Sequence, residues 1–313
     1  MRIRQLLLVA SLGVTASAAS AVTIDWVSVG GAGNAADDTG FGAVAYTYKI
    51  SKYEVTNAQY AEFLNAKVAA DPLGLYNTSM GSGLGGITRS GSSGSYTYSV
   101  IVGREDLPVT YVSFYDSLRF ANWLHNGQGA GDTEAGAYTL LGGTAIPSNG
   151  LTVTRNAGAT IFLTSEDEWY KAAYYNAPSA SYFDYPAGSD TQTTCTVPGA
   201  TANTANCNSV FGDLTDVGSY TGSASPNGTF DQAGNAWEWN EAVVSGSFRG
   251  RRGGSFILDP SSFAASTRDY TDPSFELGRV GFRVASVPEP GTGLLVMAGL
   301  LGLAGWRRRS LRR

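Results

Sequence analysis

The sequence predicts one α+β domain that is irregular and rich in loops. Its 313 residues include 40 glycines and 17 tyrosines, a composition typical of irregular segments packed around aromatic side chains rather than of long helices. Hydrophobic residues make up 43% of the chain, which is enough for a large core. Neither a repeat nor a domain boundary is visible between Val22 and Ser286. We therefore expect a single domain over residues 22–286.

The first strands are expected near the start of this domain, where hydrophobic residues alternate loosely with other residues. The alternating residues are Val27, Val29, Val44, Tyr46 and Tyr48, and the glycine-rich turn 30–33 lies between them. Two later strands are expected at 252–256 and 281–284, with the second returning beside the first.

Three short helices are predicted from residues that cap their N-termini. The capping residues are Thr56 with Gln59, Ser113 with Asp116, and Ser165 with Glu168. The acidic residues at 166–168 could be mistaken for the two catalytic carboxylates of a glycosidase. Carboxylates at a helix start, however, are more often stabilised by the helix dipole. In the second helix Phe114, Leu118, Ala121 and Leu124 can form an apolar stripe, which we assign to the core.

Composition excludes several classes of function. The net charge of −5 argues against a nucleic-acid partner, because phosphate binding needs a basic surface. His125 is the only histidine, so a metal cluster built from histidines is excluded. The GxGxxG pattern at 81–86 lacks the flanking strand and helix of a dinucleotide site, so a flexible loop is expected over 81–94.

The N-terminus is typical of a secretory signal peptide over residues 1–21. Arg2 and Arg4 precede an apolar run at 6–14 and a series of small residues at 15–21. Cleavage is expected after Ala21 or Ala18. The protein is therefore expected to be exported.

The C-terminal segment, residues 287–313, resembles the PEP-CTERM sorting signal of Gram-negative bacteria. Pro288, Glu289 and Pro290 are followed by an apolar span at 291–306 and by an arginine cluster. The resemblance implies that an exosortase removes this tail at the membrane after a transient association. The mature protein would then reside in the periplasm, at the cell surface or in the extracellular matrix. The alternative is a plain C-terminal anchor.

Cys195 and Cys207 lie in one Thr- and Asn-rich loop region of an exported chain. A disulfide bond is the expected use of such a pair in an oxidising compartment. A copper site made by these two residues alone is the alternative, and copper is not expected.

Three motifs occur in the order found in the formylglycine-generating enzyme (sulfatase-modifying factor) family. They are FDQAGNAWEW at 230–239, Arg-Gly-Gly-Ser-Phe at 252–256 and Gly-Phe-Arg at 281–283. The Glu-Val-Thr-Asn run at 54–57 and the segment 163–169 also resemble that family. The resemblance implies an irregular mixed α and β fold related to the C-type lectin fold.

The chain departs from the family at the residues that carry its reaction. The family's redox-active cysteine positions are Leu258 and Phe263 in this sequence. Neither side chain can ligate copper or carry redox chemistry, which a thiolate does. We therefore expect no catalytic residues here, and a groove whose floor is made apolar by these two residues.

The resemblance also implies a structural calcium ion. Its expected ligands are Asp231, Gly234, Ala236 and Glu238, a set of carboxylate and carbonyl oxygens that suits this hard cation. The alternative is that Glu238 pairs with a buried arginine, either Arg252 or Arg283. Counterparts of a second calcium site are Asn206 with Asp213 or Asp216.

These observations favour a non-catalytic binding module that takes a peptide or a glycan at the cell surface or in exopolysaccharide. The alternative is an active formylglycine-generating-type oxidoreductase that modifies a sulfatase or another protein side chain. A carbohydrate-active hydrolase using two acids is a third hypothesis, and no spacing specifically favours it.

Overall fold

The structure is a computed structural model, and it describes residues 21–287. The predicted signal peptide before Ala21 and the sorting residues Pro288, Glu289 and Pro290 lie outside the described residues. No helix in the described part is long and apolar enough to cross a bilayer.

All three predicted helices are present, each with its capping box. They are α1 (Asn57–Lys67), α2 (Phe114–His125) and α3 (Glu166–Tyr174). The apolar residues of α2 were expected to form one stripe, but every residue from Phe114 to Leu124 is buried. This helix therefore lies inside the core with protein on all sides.

Most strands are short, and together with the helices they confirm the predicted α+β, loop-rich class. In chain order the strands are β1 (Trp26–Val29), β2 (Tyr48–Ser51), β3 (Ile87–Ser90), β4 (Thr97–Val100), β5 (Ile161–Leu163), β6 (Tyr175–Asn176), β7 (Ser181–Tyr182), β8 (Thr194–Cys195), β9 (Thr204–Ala205), β10 (Trp237–Val244), β11 (Phe248–Arg252), β12 (Asp269–Thr271), β13 (Val280–Phe282) and β14 (Val284–Ser286). Two four-stranded sheets have the orders β1-β2-β14-β5 and β12-β11-β10-β13.

The predicted pairing of the last strand with 252–256 is wrong. Gly281 pairs with Glu238 in parallel strands β13 and β10, whereas β12 pairs with β11 on its other side. With β10 on one edge and β12 on the other, β11 has no free edge for a further strand. The chain then passes through Arg283 into β14, which belongs to the other sheet.

The segment predicted as a flexible loop carries a β-hairpin. Strand β3 pairs with β4, and the hairpin packs on α1. Asn65 of α1 donates to the Tyr98 carbonyl at 2.8 Å and accepts from the Tyr98 N–H at 2.9 Å. These contacts and the burial of Ile87 fix the hairpin, and a local sequence pattern cannot show them.

Candidate functional site

Phe263 fills an interior slot beside Gly254. Strand β11 ends at Arg252, and Gly253 and Gly254 follow with positive φ angles of 94° and 73°. Asp259 then caps a 3-10 helix that ends at Phe263, whose side chain is fully buried. A Cβ atom on Gly254 would lie 2.3 Å from the Phe263 ring, so this glycine is required for the close approach.

The two cysteines lie next to the Phe263 side chain. Cys195 and Cys207 are joined by a disulfide bond, with their Cα atoms 5.0 Å apart. Cys207 is fully buried in one apolar cluster with Phe263, and Cys195 packs against that cluster. The Asn208 N–H donates to the Leu258 carbonyl at 2.8 Å. Cys207 therefore lies beside both Leu258 and Phe263, the positions at which the resembled family has its cysteines. The sequence separation of these residues gave no sign of this proximity.

Of the two residues expected to form the groove floor, only Leu258 is partly accessible. Leu258 is half-buried and packs against the main core, whereas Phe263 is fully buried and cannot contact a ligand from solvent. The difference arises because Gly254, which has no side chain, leaves room for the ring in the interior. The accessible surface next to this position is formed by the residues that follow it.

A cleft of ≈ 570 Å³ opens beside the end of this 3-10 helix. We call it the acidic cleft. Its lining contains four carboxylates, three aromatic side chains and small polar residues, but neither lysine nor arginine: Asp37, Asp38, Thr39, Tyr182, Phe183, Asp184, Tyr185, Asp190, Gln192, Ala264, Ala265 and Ser266. Asp37 accepts a hydrogen bond from the Tyr170 hydroxyl, which orders one wall. The lining can therefore accept hydrogen bonds and stack on a ligand.

Glu238 forms the buried ion pair that was the alternative to a calcium ligand. Its Oε2 atom accepts from Arg283 Nε at 2.5 Å and from Trp169 Nε1 at 2.6 Å, and its Oε1 accepts from Arg283 Nη2 at 2.7 Å. Arg252 instead pairs with Glu166. Because both oxygens of Glu238 already have donors, a cation in this loop would share the carboxylate with Arg283.

The Asp231 carboxylate accepts fewer hydrogen bonds than that of Glu238. It is buried, has a φ of 61°, and its Oδ2 accepts from the Gly218 N–H at 2.6 Å. It lines a small cavity of ≈ 10 Å³, about the size of one water or ion. Burial raises the pKa of Asp231 to about 6, and the nearby Glu238 charge also raises it.

Glu54 is a third buried carboxylate that sequence reasoning missed. Its oxygens accept from the Ala236 N–H at 3.1 Å and from Asn235 Nδ2 at 2.9 Å, so it holds the loop of the expected calcium ligands. Burial, followed by the charges of Asp231 and Glu238, raises its pKa well above the usual range. The sequence signal that could have identified Glu54 is its position in the Glu-Val-Thr-Asn run that resembles the family.

Three buried carboxylates, Glu54, Asp231 and Glu238, lie near one buried arginine in this region. The charges of Asp231 and Glu238 act on Glu54, and Arg283 is the cation that offsets them. Among residues 21–287, no group of three or more histidine, cysteine or acidic residues is arranged to hold a metal ion. A calcium ion would therefore also need the backbone carbonyls of the loop, as the resemblance implies.

Of the residues expected at the second calcium site, Asn206 and Asp213 are in contact. Asn206 Nδ2 donates to the Asp213 backbone carbonyl at 2.9 Å, and Asn206 Oδ1 is buried without a partner. The Asp213 carboxylate forms two hydrogen bonds with Arg104, at 2.9 and 3.2 Å. Asn206 therefore fits a cation, whereas the Asp213 carboxylate already has an arginine partner. Asp216 is exposed.

Comparisons with known proteins agree with the fold. The sulfatase-modifying factor enzyme 1-like domain family matches residues 35–287, and a PEP-CTERM protein-sorting motif matches residues 286–309. Treponema denticola variable protein 1 is 19% identical with a TM-score of 0.54, over 85% of this chain and 95% of that one. CarF is 22% identical with a TM-score of 0.54, over 85% and 99%. No curated protein matches the chain. The two structures show similarity of fold alone.

Proposed function

Because this chain belongs to the sulfatase-modifying factor enzyme 1-like family, we propose that it is a non-catalytic member of it that binds a peptide or a glycan. Its sorting motif implies exosortase-dependent sorting to the cell envelope or surface. We place the bound ligand there or in the surrounding exopolysaccharide.

The occupied slot at Phe263 carries this proposal. An aromatic ring fills the position where the family keeps a cysteine, and the Cys195–Cys207 disulfide closes the adjacent space. A disulfide offers no thiolate for metal binding or for attack. A scaffold with these contents supports binding better than oxidation.

The acidic cleft is the proposed ligand site. It is open to solvent, lies beside the Phe263 slot, and combines aromatic faces with carboxylate, amide and hydroxyl groups. Sugars and peptides are both recognised by a few placed polar groups together with apolar contact surfaces. Calcium, held by Asp231 and the carbonyls of the loop 231–238, would stabilise the fold and would not act on the ligand.

The alternative function is a formylglycine-generating-type oxidoreductase. The position of Cys195 and Cys207 beside Phe263 is the observation that favours it. It requires that the disulfide be reduced and that Cys207, which is fully buried, become accessible. A conversion assay with a cysteine-containing sulfatase peptide separates these two functions.

Binding to glycan and peptide arrays tests the proposal. The domain at residues 22–287 is applied to bacterial exopolysaccharide fragments and to a peptide library. Variants D38N and Q192A change exposed cleft residues, and E105Q changes an exposed carboxylate outside the cleft lining as a control. We expect the cleft variants to weaken binding of any captured probe about tenfold, as for a lost hydrogen bond of about 1.4 kcal/mol, and E105Q to bind normally. Equal binding by all variants would contradict the placement.

A further inference from the structure

Among the described residues, 21–287, the first side chain buried in the core is that of Val22. The carboxamide of Gln128 bonds both main-chain groups of this residue: Oε1 accepts from the Val22 N–H at 2.7 Å, and Nε2 donates to the Val22 carbonyl at 2.8 Å. The Val22 side chain is buried in the main core, whereas Ala21 is exposed. The bond between these two residues therefore joins an exposed residue to an anchored one.

The next residues are anchored in the same way. Gln59 Nε2 donates to the Thr23 carbonyl at 2.9 Å, and the Lys52 N–H donates to the Asp25 carbonyl at 2.7 Å. Strand β1 then begins at Trp26. From Val22 onward the chain is fixed to α1, to the turn after α2 and to the first sheet.

Gln128 is itself held in an uncommon conformation. Its φ is 65°, a region that residues other than glycine seldom adopt. Its N–H donates to the Trp123 carbonyl at 2.9 Å, and its carbonyl accepts from Gly131 at 2.8 Å. The turn after α2 thus presents this carboxamide to Val22, at the cost of a backbone conformation that its surroundings must stabilise.

The sequence offers two cleavage positions, since an Ala-Ser-Ala triplet ends at Ala18 and another ends at Ala21. We infer that a signal peptidase cuts between Ala21 and Val22, and that Gln128 binds the α-ammonium group that the cut creates. Water is consumed in this step: the carbonyl carbon of Ala21 becomes a carboxylate, and the nitrogen of Val22 becomes an ammonium. The Val22 contact with Oε1 is then a charge-assisted hydrogen bond, which is stronger than one from a neutral amide. A cut after Ala18 would leave that nitrogen neutral.

Two measurements test this inference, and neither depends on the ligand. The first is N-terminal sequencing of the protein exported by a Gram-negative host. We expect Val22 as the first residue, and a chain that begins at Ala19 or elsewhere would overturn the inference.

The second measurement compares thermal unfolding of the domain that starts at Val22 with one that starts at Ala19, each with and without Gln128→Leu. We expect the substitution to lower Tm by about 2–4 °C more in the chain that starts at Val22. An equal effect in both chains would refute the ammonium contact. If the Gln128→Leu protein does not fold, the comparison of the two unsubstituted chains remains, and a Val22 chain no more stable than the Ala19 chain would also refute it.

Discussion

The buried carboxylates show how much one residue depends on its neighbours. Glu238 has Arg283 as a bidentate partner, whereas Asp231 has a backbone N–H and a share of the same arginine charge. Removing one member of a buried ion pair typically costs about 3–5 kcal/mol because the other charge is left uncompensated. Substitution of Glu238 would therefore destabilise the protein whether or not calcium binds, and Asp231 is the better residue to change.

Calcium is expected to raise the Tm of the metal-stripped domain, because a ligand that binds only the folded state stabilises it. At a concentration of about 100 Kd the gain is about 2.7 kcal/mol. In D231N this gain should disappear, while D269N, which changes a partly exposed ion pair with Arg251, should keep it. The measurement is a calcium titration followed by differential scanning calorimetry. An unchanged Tm of the unsubstituted domain at millimolar calcium would count against the site.

At the scale of elements, local chemistry predicted the helices, but it did not predict the slot. The capping boxes of Thr56, Ser113 and Ser165 lie within four consecutive residues each, so the sequence displays them directly. The contact of Phe263 with Cys207 joins segments more than fifty residues apart, and no local pattern carries that information. The predicted strand pairing was wrong for the same reason. Strand β12 occupies one edge of β11, and no local pattern shows this pairing.

Gly254 tests the packing of the 3-10 helix against β11. We expect Gly254→Ala to destabilise the domain more than Gly33→Ala, by about 1–3 kcal/mol, the usual cost of overpacking. Both glycines have similar φ angles, 73° and 76°, but a Cβ atom at Gly33 would meet nothing within 4 Å. Urea denaturation measures both variants. If the two variants lose the same stability, the Phe263 ring does not occupy the slot tightly.

At the scale of the molecule, three distant parts of the chain form the acidic cleft. Residues 37–39, 182–192 and 264–266 converge there, next to a small hydrophobic cluster that contains Ala265. The family resemblance predicted this architecture, but it did not predict the cleft's charge, because the lining lies in loops whose lengths and sequences follow no motif. The sorting motif overlaps the end of β14, so the sheet ends where the sorting signal begins.

The most direct test is a conversion assay with a cysteine-containing sulfatase peptide. The domain at residues 22–287 is incubated with the peptide, copper and oxygen, an active member of the family serves as the positive control, and the peptide is analysed by mass spectrometry. We predict that the peptide stays unmodified, because Leu258 and Phe263 provide no thiolate and the cysteines next to them are joined to each other. A formylglycine product that is lost in C207S would contradict the account and would assign the reaction to the buried pair.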